Sequence, residues 1–267
     1  MTAQENRPVA VITGAARGIG AAIALELATT GWDLVLGDIA DAKGLDGLTY
    51  ALGTQDDLDD TGELCRAAGA SVTTVVCDVR KKEDVIALVE RAGSRLQAAI
   101  AVAGIIATDG WAWEQSIESF ELDLAVNLFG VVNLAQAAIP IFLASSVPTQ
   151  CRFVAVTSSA GERGLPQLAS YVAAKHAAEG FVKSLAADLG STGITANTVL
   201  PGSTKTQLLN RTARAYDLVS AEGFAQNQRL GRLLEPSEIA SAVAWLCSPA
   251  ASGTTGLSLK VDGGFHG

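Results

Sequence analysis

Histidine and methionine are nearly missing from this chain. Two histidines, His176 and His266, and one methionine occur in 267 residues. A histidine-built metal centre has almost nothing to draw on, so no metal site is expected. Cysteine is sparse as well: Cys65, Cys77, Cys151 and Cys247 are scattered without a CxxC pair. That argues against a disulfide framework and suits a reducing compartment. Three of the four sit in or beside apolar runs and are expected in the core. Basic charge is the minority sign, 19 Lys and Arg against 28 Asp and Glu, for a net charge of −9. Nucleic acid and anionic membrane surfaces attract basic patches, so neither is expected as a partner. Long hydrophobic runs are missing too. The stretch AAIAVAGIIA at 98–107 is too short to span a bilayer. The N-terminal MTAQENRPVAVITG has no basic region leading into an apolar one, so no signal peptide is expected. The expectation is a soluble cytoplasmic protein.

What is present is a globular composition, 49% hydrophobic and 18% charged, in short β-rich runs that alternate with helical patterns. Strands are expected at 8–14, 33–39, 72–79, 98–105, 152–159, 194–202 and 256–264. Helices are expected at 18–31, 83–93, 120–145, 170–189 and 236–249. Continuously apolar strands alternating with helices imply a parallel sheet covered on both faces. With no repeat, linker or composition break, the fold class is α/β: one doubly wound, Rossmann-type domain over residues 1–267. Two segments interrupt the alternation. The Gly- and Asp-rich stretch at 40–62 reads as a loop or excursion, its acidic run as a solvated helix start. The stretch at 203–235 follows the sixth strand, where long connections build ligand sites, and is the candidate substrate lid.

The first expected strand runs through TGAARGIG straight into a helix, with Gly14, Gly18 and Gly20. Such glycines permit a tight turn and close approach to a pyrophosphate, which the helix N-terminus then meets with amide donors. The spacing is GxxxGxG rather than GxGxxG, and a plain tight turn is the competing reading. Asp38 ends the second strand, where a carboxylate accepts from adenosine ribose hydroxyls and repels a 2′-phosphate. Arg17 in the glycine turn pulls toward a 2′-phosphate, but Ile39 follows Asp38 and no basic residue occupies the strand end, so NAD is favoured over NADP. Asp78, ending the third strand, either meets the adenine amine or caps structure.

Tyr171 and Lys175 are four apart in a helical stretch and so share one face. An ammonium beside a phenol favours phenolate, which would make Tyr171 a general acid/base. Ser158, thirteen residues earlier at a strand end, can bond a substrate oxygen. Asn127, in AVNLFG on the long helix, can hold a water that relays protons to Lys175. Taken singly, each of these residues also has an ordinary structural role.

TGAARGIG, CDV, VNLFG, Ser158 before YVAAK, NTVLPGSTKT and VDGGF occur in that order, and together they resemble the short-chain dehydrogenase/reductase family across residues 8–265. The resemblance implies hydride transfer between nicotinamide and a carbinol or carbonyl carbon. It implies Asn127, Ser158, Tyr171 and Lys175 as a catalytic tetrad, with Lys175 also on the nicotinamide ribose. Cofactor contacts are implied at Gly14, Arg17, Gly18, Ile19, Gly20, Asp38, Ile39, Asp78, Val79, Ala103 and Gly104. Pro201, Gly202, Thr204 and Thr206 are implied at the nicotinamide amide. One departure stands out: the family's NNAG is AVAG at 101–104, so some hydrogen bonds must be made differently.

YALGTQDDLDDT, AVAGIIA, TARAY and GRLLEPSEIASAVAWLCSPAAS resemble the mycofactocin-coupled subgroup. That implies a tightly held NAD re-oxidised by mycofactocin, with the 40–62 insert folded over the adenosine half. The family also implies a homotetramer through the long helices. The leading expectation is an NAD-dependent enzyme interconverting a secondary alcohol and a ketone. The alternatives are an ordinary ketoacyl or hydroxysteroid reductase with exchangeable NAD(P), and a non-catalytic nucleotide-sensing protein. For the substrate, Trp111 and Trp113 are read as interface or core residues ahead of an aromatic wall.

Overall fold

The computed structural model describes residues 7–39, 45, 48 and 50–266. Seven strands form one sheet: β1 (Val9–Thr13), β2 (Asp33–Asp38), β3 (Val72–Val76), β4 (Leu96–Ala101), β5 (Arg152–Val156), β6 (Thr195–Pro201) and β7 (Ser258–Val261). Their order is β3-β2-β1-β4-β5-β6-β7, and every pair is parallel. The inner strands are apolar throughout because both faces are covered: VAVIT of β1 and RFVAV of β5 are buried at every position. The edge strand β3, VTTVV, has no buried position and carries two threonines.

The helices are α1 (Gly18–Thr29), α2 (Gln55–Ala67), α3 (Lys82–Glu90), α4 (Ile117–Asn127), α5 (Phe129–Ala144), α6 (Ala169–Asp188), α7 (Gln207–Ala215) and α8 (Pro236–Cys247). Alternate residues of β1 point to opposite faces. Val9 and Val11 join a core with residues of α3, α5 and α6, while Ala10 and Ile12 join one with residues of α1, α2 and α8. All four cysteines are buried and free. The chain crosses from one side of the sheet to the other where β1 and β4 lie adjacent, the position at which doubly wound folds open a ligand crevice.

Three sequence expectations change. The helix expected at 120–145 is two helices, broken at Leu128 (φ −109°, ψ −61°) directly after Asn127. The Asn127 side chain donates to the Ile105 carbonyl at 3.0 Å and accepts from the Ile105 amide at 3.1 Å, which fixes the end of α4 against the chain following β4. Second, the excursion at 40–62 ends early. Residues 40–44, 46, 47 and 49 lie outside the described residues, but α2 begins at Gln55. Thr54 and Asp57 form a reciprocal capping box there, so the acidic run is a solvated helix start. Third, Ile117–Ala144 together is long and apolar enough to cross a membrane by length and composition. In the fold it packs against α3, α6 and β4, and the polar side chains of Asp123 and Asn127 are fully buried in protein.

One buried carboxylate ties α6 to the sheet. Glu179 accepts hydrogen bonds from the hydroxyls of Thr157, just after β5, Thr198 in β6 (2.8 Å) and Ser258 in β7 (2.6 Å). It is 3% exposed, so these hydroxyls replace water for the carboxylate. Glu179→Ala would leave the half-buried Ser258 hydroxyl without its acceptor and the buried hydroxyls of Thr157 and Thr198 with only the longer bonds to the Val199 (3.2 Å) and Leu257 (3.5 Å) carbonyls. The expected loss is on the order of 3 kcal/mol, read as a lowered urea midpoint with an unchanged m-value.

Candidate active site

The C-terminal ends of β1, β2, β4, β5 and β6 open into one cavity of about 1190 Å³, which also reaches residues of α7 and the segment after it. At its floor the turn after β1 runs into α1. Gly14 has φ +70°, and a Cβ on it would stand 2.6 Å from the Ala103 backbone, so the two turns at the crossover meet only because position 14 has no side chain. A Cβ on Gly20 would lie 1.9 Å from the Gly14 carbonyl oxygen. The first-turn amides of α1 therefore face a cavity wall built to bare backbone, as a pyrophosphate site requires. In place of the missing asparagines of AVAG, the Val102 amide donates to Thr13 Oγ1 at 3.2 Å.

Asp38 reaches the same cavity from the end of β2. Its carboxylate accepts from the amides of Ala16 (2.8 Å) and Ile39 (2.7 Å). Burial raises its pKa, against those amides and Arg17, which lower it. Arg17 bonds the Ala51 carbonyl and the Gln207 side chain, so it spans the glycine turn, the insert and the start of α7. Asp78 also lines the cavity but is clasped by Arg80, whose Nη2 lies 2.7 Å from Oδ2. Burial acts to raise the Asp78 carboxyl, and the bonds from Arg80 hold it below its ordinary value. Gly18, Ile19, Ile39, Val79, Ala103 and Gly104 complete this end. Pro201 and Gly202 lie opposite. The Thr204 hydroxyl donates to the Gly202 carbonyl at 3.0 Å, and Thr206 caps α7 by accepting from the Leu209 amide at 3.2 Å.

Ser158, Tyr171 and Lys175 line the other half of the cavity. Lys175 Nζ stands 5.6 Å from the centroid of the Tyr171 ring and 3.5 Å from the Val156 carbonyl oxygen. The expected lowering of the phenol by the ammonium does not occur here. Burial pushes Tyr171 up to about 12, opposed by its hydrogen bond with Ser158, and pushes Lys175 down to about 8, opposed by Asp123 and Glu179. Burial makes ionising either group cost more than these partners return. Tyr171 therefore holds its proton near neutral pH and can donate it. Asn127 is fully buried behind Gly104 and does not line the cavity.

The roof comes from residues 203–235. Leu208, Leu209, Tyr216 and Phe224 line it, and Ala213, Ala221, Phe224 and Leu233 form a small core of their own. Tyr216 and Phe224 meet edge to face with centroids 5.8 Å apart. Trp111 and Trp113 are neither wall nor core: they stack on each other at 5.4 Å, exposed, away from the cavity. Sequence reasoning missed Tyr50, which lines the cavity from the insert and accepts from the Ile106 amide at 3.1 Å. It also missed Asp123 and Glu179. A signal existed for each: Asp123 is four before Asn127 in an apolar run, and Glu179 is four after Lys175.

A family model described as enoyl-(acyl carrier protein) reductase matches residues 14–266. An uncharacterized oxidoreductase of Mycobacterium tuberculosis is 35% identical over 96% of this chain and 95% of its own length. The cis-4-hydroxycyclohexanecarboxylate dehydrogenase of Sinomonas cyclohexanicum is 33% identical, covering 96% of each chain. Among solved structures, carveol dehydrogenase from Mycobacterium avium in complex with NAD superposes with a TM-score of 0.89 at 29% identity, covering 98% of this chain and 99% of that one. With the parallel sheet, the glycine turn and the Ser158–Tyr171–Lys175 grouping in a single cavity, these matches show that the chain belongs to the short-chain dehydrogenase/reductase family.

Proposed function

We propose that this protein is an NAD-dependent dehydrogenase that interconverts an apolar, cyclic secondary alcohol and its ketone. The observation that carries the reading is the convergence of Ser158, Tyr171 and Lys175 with the glycine turn, the α1 N-terminus and Asp38 in one cavity. Gly14, Gly18 and the first amides of α1 hold the pyrophosphate, and Asp38 selects ribose hydroxyls over a 2′-phosphate. Bound NAD supplies the hydride acceptor. Ser158 steadies the substrate oxygen, and Tyr171 exchanges a proton with it. Lys175 sets the charge beside the phenol and holds the nicotinamide ribose, with Asn127 behind it. The roof of residues 203–235 serves as substrate lid, and Leu208, Leu209, Tyr216, Leu218 and Phe224 give it an apolar patch among polar side chains. That patch suits a hydrocarbon ring, and two relatives are named as dehydrogenases of cyclic alcohols, hydroxycyclohexanecarboxylate and carveol.

The insert holds NAD in place, and an external carrier of the mycofactocin type re-oxidises it. Support comes from three attachments of its described residues: Ala51 to Arg17, Tyr50 to Ile106, and Gly53 close against Ala16 and Asp38. Leu45 is buried and belongs to the same core as residues of α3, α5 and α6. The protein assembles as a homotetramer through its long helices, where Ile117, Phe129 and Leu143 are exposed apolar residues. It works in the cytoplasm, where four unpaired thiols stay reduced.

Tyr171→Phe should lower kcat by about 10²- to 10⁴-fold while nucleotide binding persists. Unchanged turnover would remove Tyr171 from the chemistry, whereas a parent that binds nucleotide but turns over no alcohol or ketone would favour a nucleotide-sensing role. For the held cofactor, the protein is dialysed exhaustively, denatured, and its released nucleotide identified by mass spectrometry. Stoichiometric NAD or NADH is the expected result. No nucleotide would mean an ordinary dehydrogenase with exchangeable cofactor, and NADP would overturn the role given to Asp38.

A further inference from the structure

Asp123 is fully buried on α4, one helical turn before Asn127. Oδ1 accepts from the Ala107 amide at 3.0 Å and from Asn127 Nδ2 at 3.2 Å. Oδ2 accepts from the Ser170 hydroxyl at 2.6 Å, and Ser170 immediately precedes Tyr171 on α6. One carboxylate thus joins α4, the chain leaving β4 and the first turn of α6. The remaining polar capacity of Asn127 faces one way. Its amide nitrogen is used by Ile105 and Asp123, and its oxygen, already bonded to the Ile105 amide, faces the space beside Gly104. A Cβ on Gly104 would stand 2.9 Å from that oxygen and 3.2 Å from Lys175 Nζ, so Asn127 and Lys175 approach the same point.

We propose that Asp123 is a positioning residue for the reaction: it fixes the Asn127 amide and the first turn of α6, and it supplies the buried negative charge that keeps Lys175 an ammonium. The proposal rests on the catalytic reading of Lys175 and Tyr171 given above. Among the described residues, two charges bear on Lys175. Asp123 approaches from α4 and Glu179 from α6, and both act to hold its proton on; the neutral Tyr171 phenol is the other ionisable group beside it. Asp123 in turn is influenced by Lys175 and, from α7, Arg211; it also bears on Tyr50 and Tyr171. Burial pushes the Asp123 carboxyl up to about 6, while its hydrogen bonds and those two cations pull it down. The carboxylate is therefore charged above about pH 6, and Lys175 is charged below about pH 8. Both charges exist together only between those limits, a window centred on neutrality.

Asp123→Asn separates charge from geometry. The amide oxygen can keep both Oδ1 bonds, and the amide nitrogen can donate to the Ser170 hydroxyl, so the fold is retained and only the charge is lost. In protein labelled with ¹³C,¹⁵N-lysine, the Lys175 resonance, assigned with Lys175→Arg, is titrated without substrate. The expected result is deprotonation about one pH unit lower in Asp123→Asn than in the parent. In kinetics, the alkaline limb of kcat moves down by the same amount, and the acid limb near pH 6 disappears. Asp123→Ala, which also frees Asn127, should lose at least a further tenfold in kcat with KM nearly unchanged. A Lys175 titration identical in Asp123→Asn and parent overturns the proposal, whether or not Asp123→Ala folds. If the parent oxidises no alcohol, the functional reading fails separately, and the titration still decides the role of Asp123.

Discussion

Everything at the cavity depends on keeping charged side chains of one helix inside the protein without water. Lys175 and Glu179 lie four apart on α6, 4% and 3% exposed. An isolated buried charge is costly, and an acid and a base on the same face are tolerated only if each finds polar partners. Glu179 finds three hydroxyls, from Thr157 just after β5, Thr198 in the middle of β6 and Ser258 at the start of β7. Lys175 has a single long bond to the Val156 carbonyl, and its charge rests on Asp123 and Glu179 at a distance. The better-satisfied carboxylate anchors the helix. The less-satisfied ammonium is left at the cavity wall, where a ligand can complete its hydrogen bonding.

The other half of the cavity is built by subtraction. Gly14 and Gly20 remove side chains where β1, β4 and α1 converge, and backbone meets backbone there. The two halves differ physically: one offers uncharged N–H groups to an anion, the other offers hydroxyl, phenol and ammonium to a reacting oxygen. Arg17 links them mechanically, since it reaches from the glycine turn to both the insert and α7. A ligand lying along the cavity is thereby enclosed by contacts between its own walls, as slow cofactor exchange would require.

The order and type of most elements were legible because each strand is a continuous apolar run and most helices carry recognisable starts. Six of the seven strands fall within the stretches expected of them, and β4 starts at Leu96, two residues before its expected 98–105. The losses were local. The break at Leu128 has no proline or glycine of its own to announce it; it is imposed by Asn127 bonding to a strand end that is adjacent only in space. Helix α2 was hidden inside a stretch whose glycines read as loop, although Thr54 and Asp57 carry its capping box. The site residues with fixed local spacing, Gly14 to Gly20 and Tyr171 to Lys175, were readable because a turn or a helix face defines them within a few residues.

What the sequence by itself determined, then, is the doubly wound sheet, the nucleotide turn and the grouping of hydroxyl, phenol and amine, since periodicity and short-range spacing specify them. The tertiary structure alone decided the ionisation of that group. Tyr171 is pushed up and Lys175 down because burial outweighs the hydrogen bond with Ser158 at the one and the charges of Asp123 and Glu179 at the other, and burial is a property of the elements packed around them. It also decided that Asp123, Glu179 and Tyr50 belong to the same neighbourhood. Apart from Asn127, four residues from Asp123 on α4, the hydrogen-bond partners cited for them lie 16 to 79 residues away along the chain, and only the packing of α4, α6 and the insert against the sheet brings them within reach.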